Sequence, residues 1–289
     1  MSQEQQTPHK RRVRYKGKYP KKFEEKYKEL QPEKYQETVE HVIRKGNTPA
    51  GMHISIMVKE ILDFLDIQPG QTGFDATLGY GGHTKAMLEC LKGQGHIYAT
   101  DVDPEESAKT KKRLEEQGFG EKILTVCLQN FCTIDEIAEK VGGFDFILAD
   151  LGVSSMQIDN PKRGFSFKAD GPLDLRLNQE KGISAAERLD TISREELAGM
   201  LYENSDEPYC EELAKAITDE IRRGNRIDTT TKLREIIEKT LDFLPEKEKK
   251  ETVKKTCQRV FQALRIDVNQ EFEVLYEFME KLPNALRPG

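Results

Sequence analysis

At 289 residues with 36% hydrophobic content, the chain is long enough to bury one large core or two modest ones. It contains no apolar run near the ~20 residues that a bilayer-spanning helix requires, and it opens with no charged, apolar, small-residue leader, so a cytoplasmic protein without a membrane partner is expected. Five cysteines scattered at 90, 127, 132, 210 and 257 argue against a disulfide framework, and all five histidines fall at or before His96, so no metal centre is expected.

The net charge of −6 conceals an asymmetry. Residues 8–28 carry ten lysines and arginines against only Glu24 and Glu25, with Tyr15, Tyr19 and Tyr27 interleaved. That composition suits phosphate contacts with base stacking and equally a solvated extension, and a basic, flexible tail is expected at 1–48. Apolar residues at helical spacing follow over Ser55–Leu65 and stop before Pro69-Gly70. A short apolar strand then ends at Asp75 and passes through a glycine-rich loop into a helix from about Thr84 to Leu91.

Gly79, Gly81 and Gly82 lack a Cβ, so this loop can turn tightly and approach a ligand, while the free N–H groups opening the next helix attract negative charge. A second apolar run ends about twenty residues further on at Asp101, where this architecture hydrogen-bonds a ribose diol. Pro104 is placed to open a helix to about Gln117. A third run over Ile123–Leu128 leads to Phe131, a helix near 134–140 follows, and a fourth run ends at Asp150. Strands alternating with helices imply a parallel sheet covered on both faces, with the ligand outside the carboxyl ends of the strands, near Gly79, Asp101, Phe131 and Asp150.

The alternation breaks at about residue 158. A polar, glycine-marked loop and helical stretches at 185–190, 194–203, 211–223 and 232–241 read as an inserted helical domain. From Val260 one long amphipathic helix is expected to about Leu282, assigned to the sheet domain. The fold class is thus α/β, a Rossmann-like sheet over 49–157 and 256–289 with an all-helical insertion over 158–255.

The third glycine of the dinucleotide fingerprint would fall at position 84, which is Thr. An acidic residue before a compact G-x-G-G turn instead resembles motif I of S-adenosylmethionine (AdoMet) methyltransferases. The segments Asp75–His83, Asp101-Val-Asp103-Pro104, Asp150–Ser155, Arg163–Arg176 and Phe261–Asn269 together resemble the ribosomal small-subunit RNA cytosine-N4 methyltransferases, the RsmH or MraW family. The likeness spans roughly 50–289. It implies AdoMet held by Gly81, Gly82 and His83 at its methionine end, by Asp101 at the ribose, by Phe131 beside adenine, and by Asp150 and Gln157 near the reacting end. It also implies 16S rRNA of the small ribosomal subunit as substrate.

The exocyclic nitrogen of cytosine is a poor nucleophile because its lone pair is delocalised into the ring. Asp150 is the expected catalytic acceptor for its hydrogens, with its carboxylate or the Leu151 carbonyl binding the amino group. Phe165 and Phe167 are candidates to stack on the target base or a neighbour, with Arg163 and Lys168 on phosphate and Asp174 and Arg176 completing that RNA segment. Arg222, Arg223 and Arg226 are candidates on the helical insertion.

Departures from the family pattern are Met156 for a proline, Leu175 for a methionine, a His53-Ile-Ser lacking a proline, and Asn204-Ser205 for a glycine. The family pattern continues past Gly289 with a strand and a Ser-Phe-His-Ser segment, so reduced stability and weak or no activity are expected of these 289 residues. Two other classes stay open: a catalytically idle RNA-binding paralogue and a nicotinamide-dependent oxidoreductase, the latter disfavoured by Thr84. Assembly is open as well, a homodimer included.

Overall fold

A computed structural model describes residues 55–288, so the basic tail at 1–48 and the departure at His53 lie outside the described residues. Four parallel strands, β1 (Thr72–Asp75), β2 (His96–Asp101), β3 (Leu124–Leu128) and β4 (Phe146–Leu148), lie in the order β3-β2-β1-β4. The crossovers are α2 (Gly82–Leu91), α3 (Pro104–Glu116) and α4 (Ile134–Val141), preceded by α1 (Val58–Leu65). Side chains alternate across the pleat. Ile97, Ala99 and Phe146 join Met87, Leu88, Leu91 and Leu114 on one face. Phe74, with Tyr98 packed against it, joins Ile134, Ile137, Phe144 and Phe278 on the other. Gly73 in the middle of β1 is required by this packing, since a Cβ there would lie 2.1 Å from the Phe146 ring.

After β4 come the short helix α5 (Ser155–Asp159) and a long irregular segment. The helices α6 (Ala185–Thr191), α7 (Arg194–Ser205), α8 (Cys210–Arg222), α9 (Thr230–Thr240), α10 (Glu246–Asn269) and α11 (Glu271–Ala285) follow. Two of them begin at capped serines: Ser184 and Ser193 each accept the N–H three residues on.

The single helix expected from Val260 to Leu282 is in fact two, broken where Gln270 adopts φ 51°, ψ 42°. The first half also packs elsewhere than expected. Cys257, Val260, Phe261, Ala263 and Leu264 of α10 are buried in the helical cluster with Leu189, Leu201, Leu213 and Leu233. Only α11 lies on the sheet, through Phe278 and Ala285. The boundary expected at 256 therefore falls inside α10, and the packing changes hands at Gln270. Beyond α11 the chain runs beside β4, with Leu286 bridged in parallel to Phe144 and Arg287 donating to the Phe144 carbonyl at 2.9 Å.

Candidate active site

The site is built at the carboxyl ends of β1, β2 and β4. Beyond β1, Ala76 donates to the Leu148 carbonyl at 2.8 Å and Leu78 to the Thr100 carbonyl at 2.9 Å, so the loop leaves the sheet still tied to both neighbours. Gly79 (φ 46°) and Gly81 (φ 73°) then take the left-handed backbone that turns the chain into α2. A Cβ on Gly79 would meet only the Thr77 carbonyl, at 3.8 Å, and one on Gly152 would meet nothing within 4 Å. The loop over β1 and the loop after β4 both face open space. Within the first loop, the Arg113 guanidinium lies 3.6 Å over the Tyr80 ring and donates to the Tyr80 carbonyl, pinning the turn from α3.

Asp75 and Asp101 close β1 and β2, and a third carboxylate, Asp150, follows β4. Asp75 is fully buried, accepting from the Thr77 N–H at 3.0 Å and from the Thr84 hydroxyl at 2.5 Å. Burial raises its pKa above the usual carboxylate value, and those two donors oppose the rise. Thr84, which breaks the dinucleotide fingerprint, thus supplies a donor that glycine lacks. Asp101 accepts from the Gly79 N–H and the Asp103 N–H, each at 2.9 Å. Burial pushes its pKa up to about 6 against the pull of those donors. Its remaining lone pairs suit hydroxyl donors such as a ribose diol.

Asp150 corrects an expectation. The fourth run is expected to end at Asp150, but strand β4 ends at Leu148 and Asp150 sits two residues on with 47% of its side chain exposed. Its N–H donates to the Thr77 hydroxyl at 2.7 Å, which ties the third loop to the first. Its carboxylate stands 3.6 Å from His83 Nδ1. His83 is buried near the start of α2, and its Nε2 contacts the Ile56 carbonyl at 2.9 Å. A carbonyl only accepts, so Nε2 carries the proton and Nδ1 is the atom turned to Asp150.

Gly79 is thus hydrogen-bonded to Asp101, and His83 stands beside Asp150 without a hydrogen bond between them. Gln157 reaches the group at one remove: its carboxamide closes a capping box with Ser154 at the start of α5 and donates to Asp103 at 3.0 Å. Phe131, half-buried in a 3₁₀ turn after β3, is packed edge-on against Phe278 of α11 with ring centroids 5.0 Å apart.

The candidate RNA residues divide sharply. Arg163 is only 4% exposed, its guanidinium paired with Asp103 at 2.7 Å, so in this conformation it meets no phosphate. Phe165 is buried in the helical core, so its ring is not free to stack on a base, while Phe167 is half-buried and packs edge-on against Phe261. Asp174 and Arg176 form a two-bonded fork, at 2.7 and 2.8 Å, whose pull outweighs burial and keeps Asp174 below its ordinary value. Lys168 is exposed. Arg223 and Arg226 border a groove of about 850 Å³ between α8 and α9. Both are paired, with Glu220 at 2.6 Å and Asp190 at 2.9 Å, while Arg222 stands 3.8 Å from Asp219.

Asp103 is the residue that sequence reasoning passed over. It is 1% exposed, caps α3 by accepting from Glu105 and Glu106 at 3.1 Å each, and receives both Arg163 and Gln157 on its second oxygen. The Asp-Pro-Glu-Glu run announces the cap; nothing local announces the two distant donors.

A family model, the MraW methylase family, matches residues 50–289. Over its whole length the chain is 84% identical to the ribosomal RNA small subunit methyltransferase H 1 of Agathobacter rectalis, covering 82% of that protein. It is 69% identical over 288 residues to the protein of the same name in Lachnoclostridium phytofermentans, covering 100% of this chain and 79% of the relative. It is 62% identical over 279 residues to the ribosomal RNA small subunit methyltransferase H 2 of Alkaliphilus metalliredigens, covering 96% of this chain and 80% of the relative. With its parallel sheet and this match over nearly its full length, the chain belongs to the MraW methylase family.

Proposed function

We propose that the protein transfers a methyl group from AdoMet to the exocyclic N4 of a cytidine in 16S rRNA, with the cofactor across the glycine turn and the base in front of Asp150. The observation that carries this reading is the hydrogen bond of Gly79 to Asp101, with His83 and the exposed Asp150 side by side, at the open rim of the sheet. The donor set suits the cofactor. The free N–H groups at the start of α2 and the left-handed glycines before it accommodate a carboxylate, and Asp101 takes ribose hydroxyls. Phe131 borders the adenine end, and Gln157, bonded to Asp103, lies between the ribose acceptor and the reacting end. When bound, AdoMet supplies an electrophilic methyl group on a sulfonium sulfur.

Asp150 then has one task, for which its exposure fits it. Its carboxylate accepts an N–H of the cytosine amino group, fixes the direction of the nitrogen lone pair, stabilises the positive charge that develops on that nitrogen, and takes up the proton that the methylated nitrogen releases. No covalent intermediate with the protein is needed. Lys168 is the exposed cation of the 163–176 segment and contacts backbone phosphate beside the target.

The test is methyl transfer to small subunits isolated without this modification, with nucleoside analysis of the product, and calorimetry with AdoMet and with NADH alongside. N4-methylcytidine formation and AdoMet binding are expected. Binding of NADH in place of AdoMet would refute the cofactor, and methylation at another atom would refute the role of Asp150.

A further inference from the structure

Arg163 sits where two parts of the fold meet, and its contacts run in both directions. On the sheet side, Nη1 donates to Asp103 Oδ2 at 2.7 Å, beside the 3.0 Å bond from Gln157. The N–H of the same Asp103 holds Asp101 Oδ1, and Gly79 holds Asp101 Oδ2, each at 2.9 Å. On the other side, Nη2 donates to the carbonyls of Leu177, at 2.6 Å, and Arg176, at 3.2 Å. Leu177 and Leu175 are bonded in turn to the Asn269 carboxamide, at 2.7 and 2.8 Å, at the end of α10. An unbroken series of hydrogen bonds thus runs from the glycine loop through Asp101, Asp103 and Arg163 to the helical cluster.

Stability alone does not account for this pair. A buried ion pair recovers little more than its desolvation cost, and here Arg163 Nε is buried without a partner. The segment it holds is strained as well. Leu175 is fully buried at φ 63°, a conformation an L-residue with a branched side chain keeps only when its surroundings impose it. Those surroundings are the Arg163 carbonyl, which accepts from Leu175 at 3.1 Å, and Asn269. A guanidinium serves both directions because its two terminal nitrogens diverge in one plane. Lysine offers a single point charge and cannot hold both ends.

We propose that Arg163 is a positioning residue for the ribose: by clamping Asp103 it fixes the Asp101 carboxylate in the orientation that receives the cofactor's hydroxyls, and it ties that orientation to the strained 163–177 segment. This rests on the reading of Asp101 as the ribose acceptor. The role belongs to Arg163 acting through Asp103 and Asp101, with no contact to cofactor or RNA.

The experiment compares binding of S-adenosylhomocysteine and its 2′-deoxy analogue by calorimetry, using the full chain and the variants Arg163→Lys and Asp103→Asn, with thermal melting of each. Asn remains a good helix cap, so Asp103→Asn removes the charge while keeping the start of α3. The wild type is expected to prefer the ribose form by about tenfold, the worth of one hydrogen bond to a carboxylate. In folded variants that preference is expected to fall toward unity. A folded variant that weakens both ligands equally, or neither, overturns the proposal, and so does loss of folding in both variants, which would make the pair structural. A wild type that binds the two ligands alike overturns the ribose reading first and the proposal with it. A wild-type preference that survives in folded variants overturns the proposal alone.

Discussion

Replacing Thr84 by valine isolates the bond that lets a carboxylate be buried under the cofactor loop. The two side chains have nearly the same shape, both Thr84 and Asp75 are closed to solvent, and the only loss is the hydroxyl 2.5 Å from Asp75 Oδ2. A hydrogen bond to a buried charged group is worth about 1.5–3 kcal/mol. For a protein of this size each kcal/mol moves the melting temperature by about 2–4 °C, so a fall of roughly 3–12 °C is expected. The pH dependence carries a sign. Burial already raises Asp75 above its ordinary value, so the protonated form favours the fold; that advantage is complete in acid and is lost as pH rises through the folded-state pKa. Removing an opposing donor raises that pKa further, so the cost of Thr84→Val grows with pH and is smaller at pH about 5 than at pH about 8. Asp75→Asn is the control. It keeps an oxygen for the Thr77 N–H and turns an amide toward the Thr84 hydroxyl, which then accepts, so it preserves both contacts without a buried charge. Thermal melting of the three proteins across pH is the assay. An undamaged Thr84→Val, or an Asp75→Asn as damaged as Thr84→Val, would refute the reasoning.

Asp101 titrates near 6 in the free protein and must be ionised to accept two hydroxyls, so AdoMet affinity measured by calorimetry is expected to weaken about tenfold between pH about 7.5 and pH about 5, and a flat profile would count against the ribose contact. Asp150→Asn removes an exposed charge, so its melting temperature is expected to stay within about 2 °C of wild type while methyl transfer falls about a hundredfold; full activity would remove Asp150 from the mechanism. Two glycines separate strain from collision. Gly142→Ala meets open space at φ 77° and is expected to cost about 1–2 kcal/mol, whereas Gly164→Ala adds a Cβ 2.2 Å from the Pro172 carbonyl at φ 74° and is expected to cost distinctly more by chemical denaturation. Equal costs would show that the loop after Arg163 yields freely.

What the sequence made legible is what local pattern encodes. Apolar runs ending in Asp75 and Asp101, the glycines between them and Pro104 at the start of a helix yielded the strands, the crossovers and the rim of the site, because each signal lies within one element. The errors share a different physical origin. Arg163 beside Phe165 and Phe167 has the composition of an RNA contact, but its partner stands sixty positions earlier, and ion pairing at that separation leaves no periodic trace. The break at Gln270 was hidden because left-handed backbone is announced by glycine or asparagine, and Gln270 is neither. The fourth apolar run continues to Asp150, while the sheet stops at Leu148, because hydrophobicity alone does not mark where strand pairing ends.

The three acids also show how one sheet edge assigns different work to the same functional group. From Asp75 to Asp101 to Asp150 the carboxylates pass from buried, through half-buried, to exposed, and each is anchored differently. Asp75 accepts one bond on each oxygen, from Thr77 and Thr84, and is closed to solvent, so no ligand reaches it and it serves the shape of the loop. Asp101 spends one lone pair of each oxygen on backbone N–H groups and keeps the others, which suits a neutral donor held in fixed geometry. In Asp150 it is the backbone N–H that is anchored, through Thr77, so the carboxylate can follow a base as positive charge develops on it. If this gradient governs the site, exchanging Asp101 and Asp150 for asparagine separates the two functions: Asp101→Asn raises the dissociation constant for AdoMet with little change in the maximal rate, and Asp150→Asn lowers the maximal rate with little change in that constant. Steady-state kinetics with saturating small subunits measures the split, and a pair of variants impaired in the same parameter would show that the two carboxylates act as one.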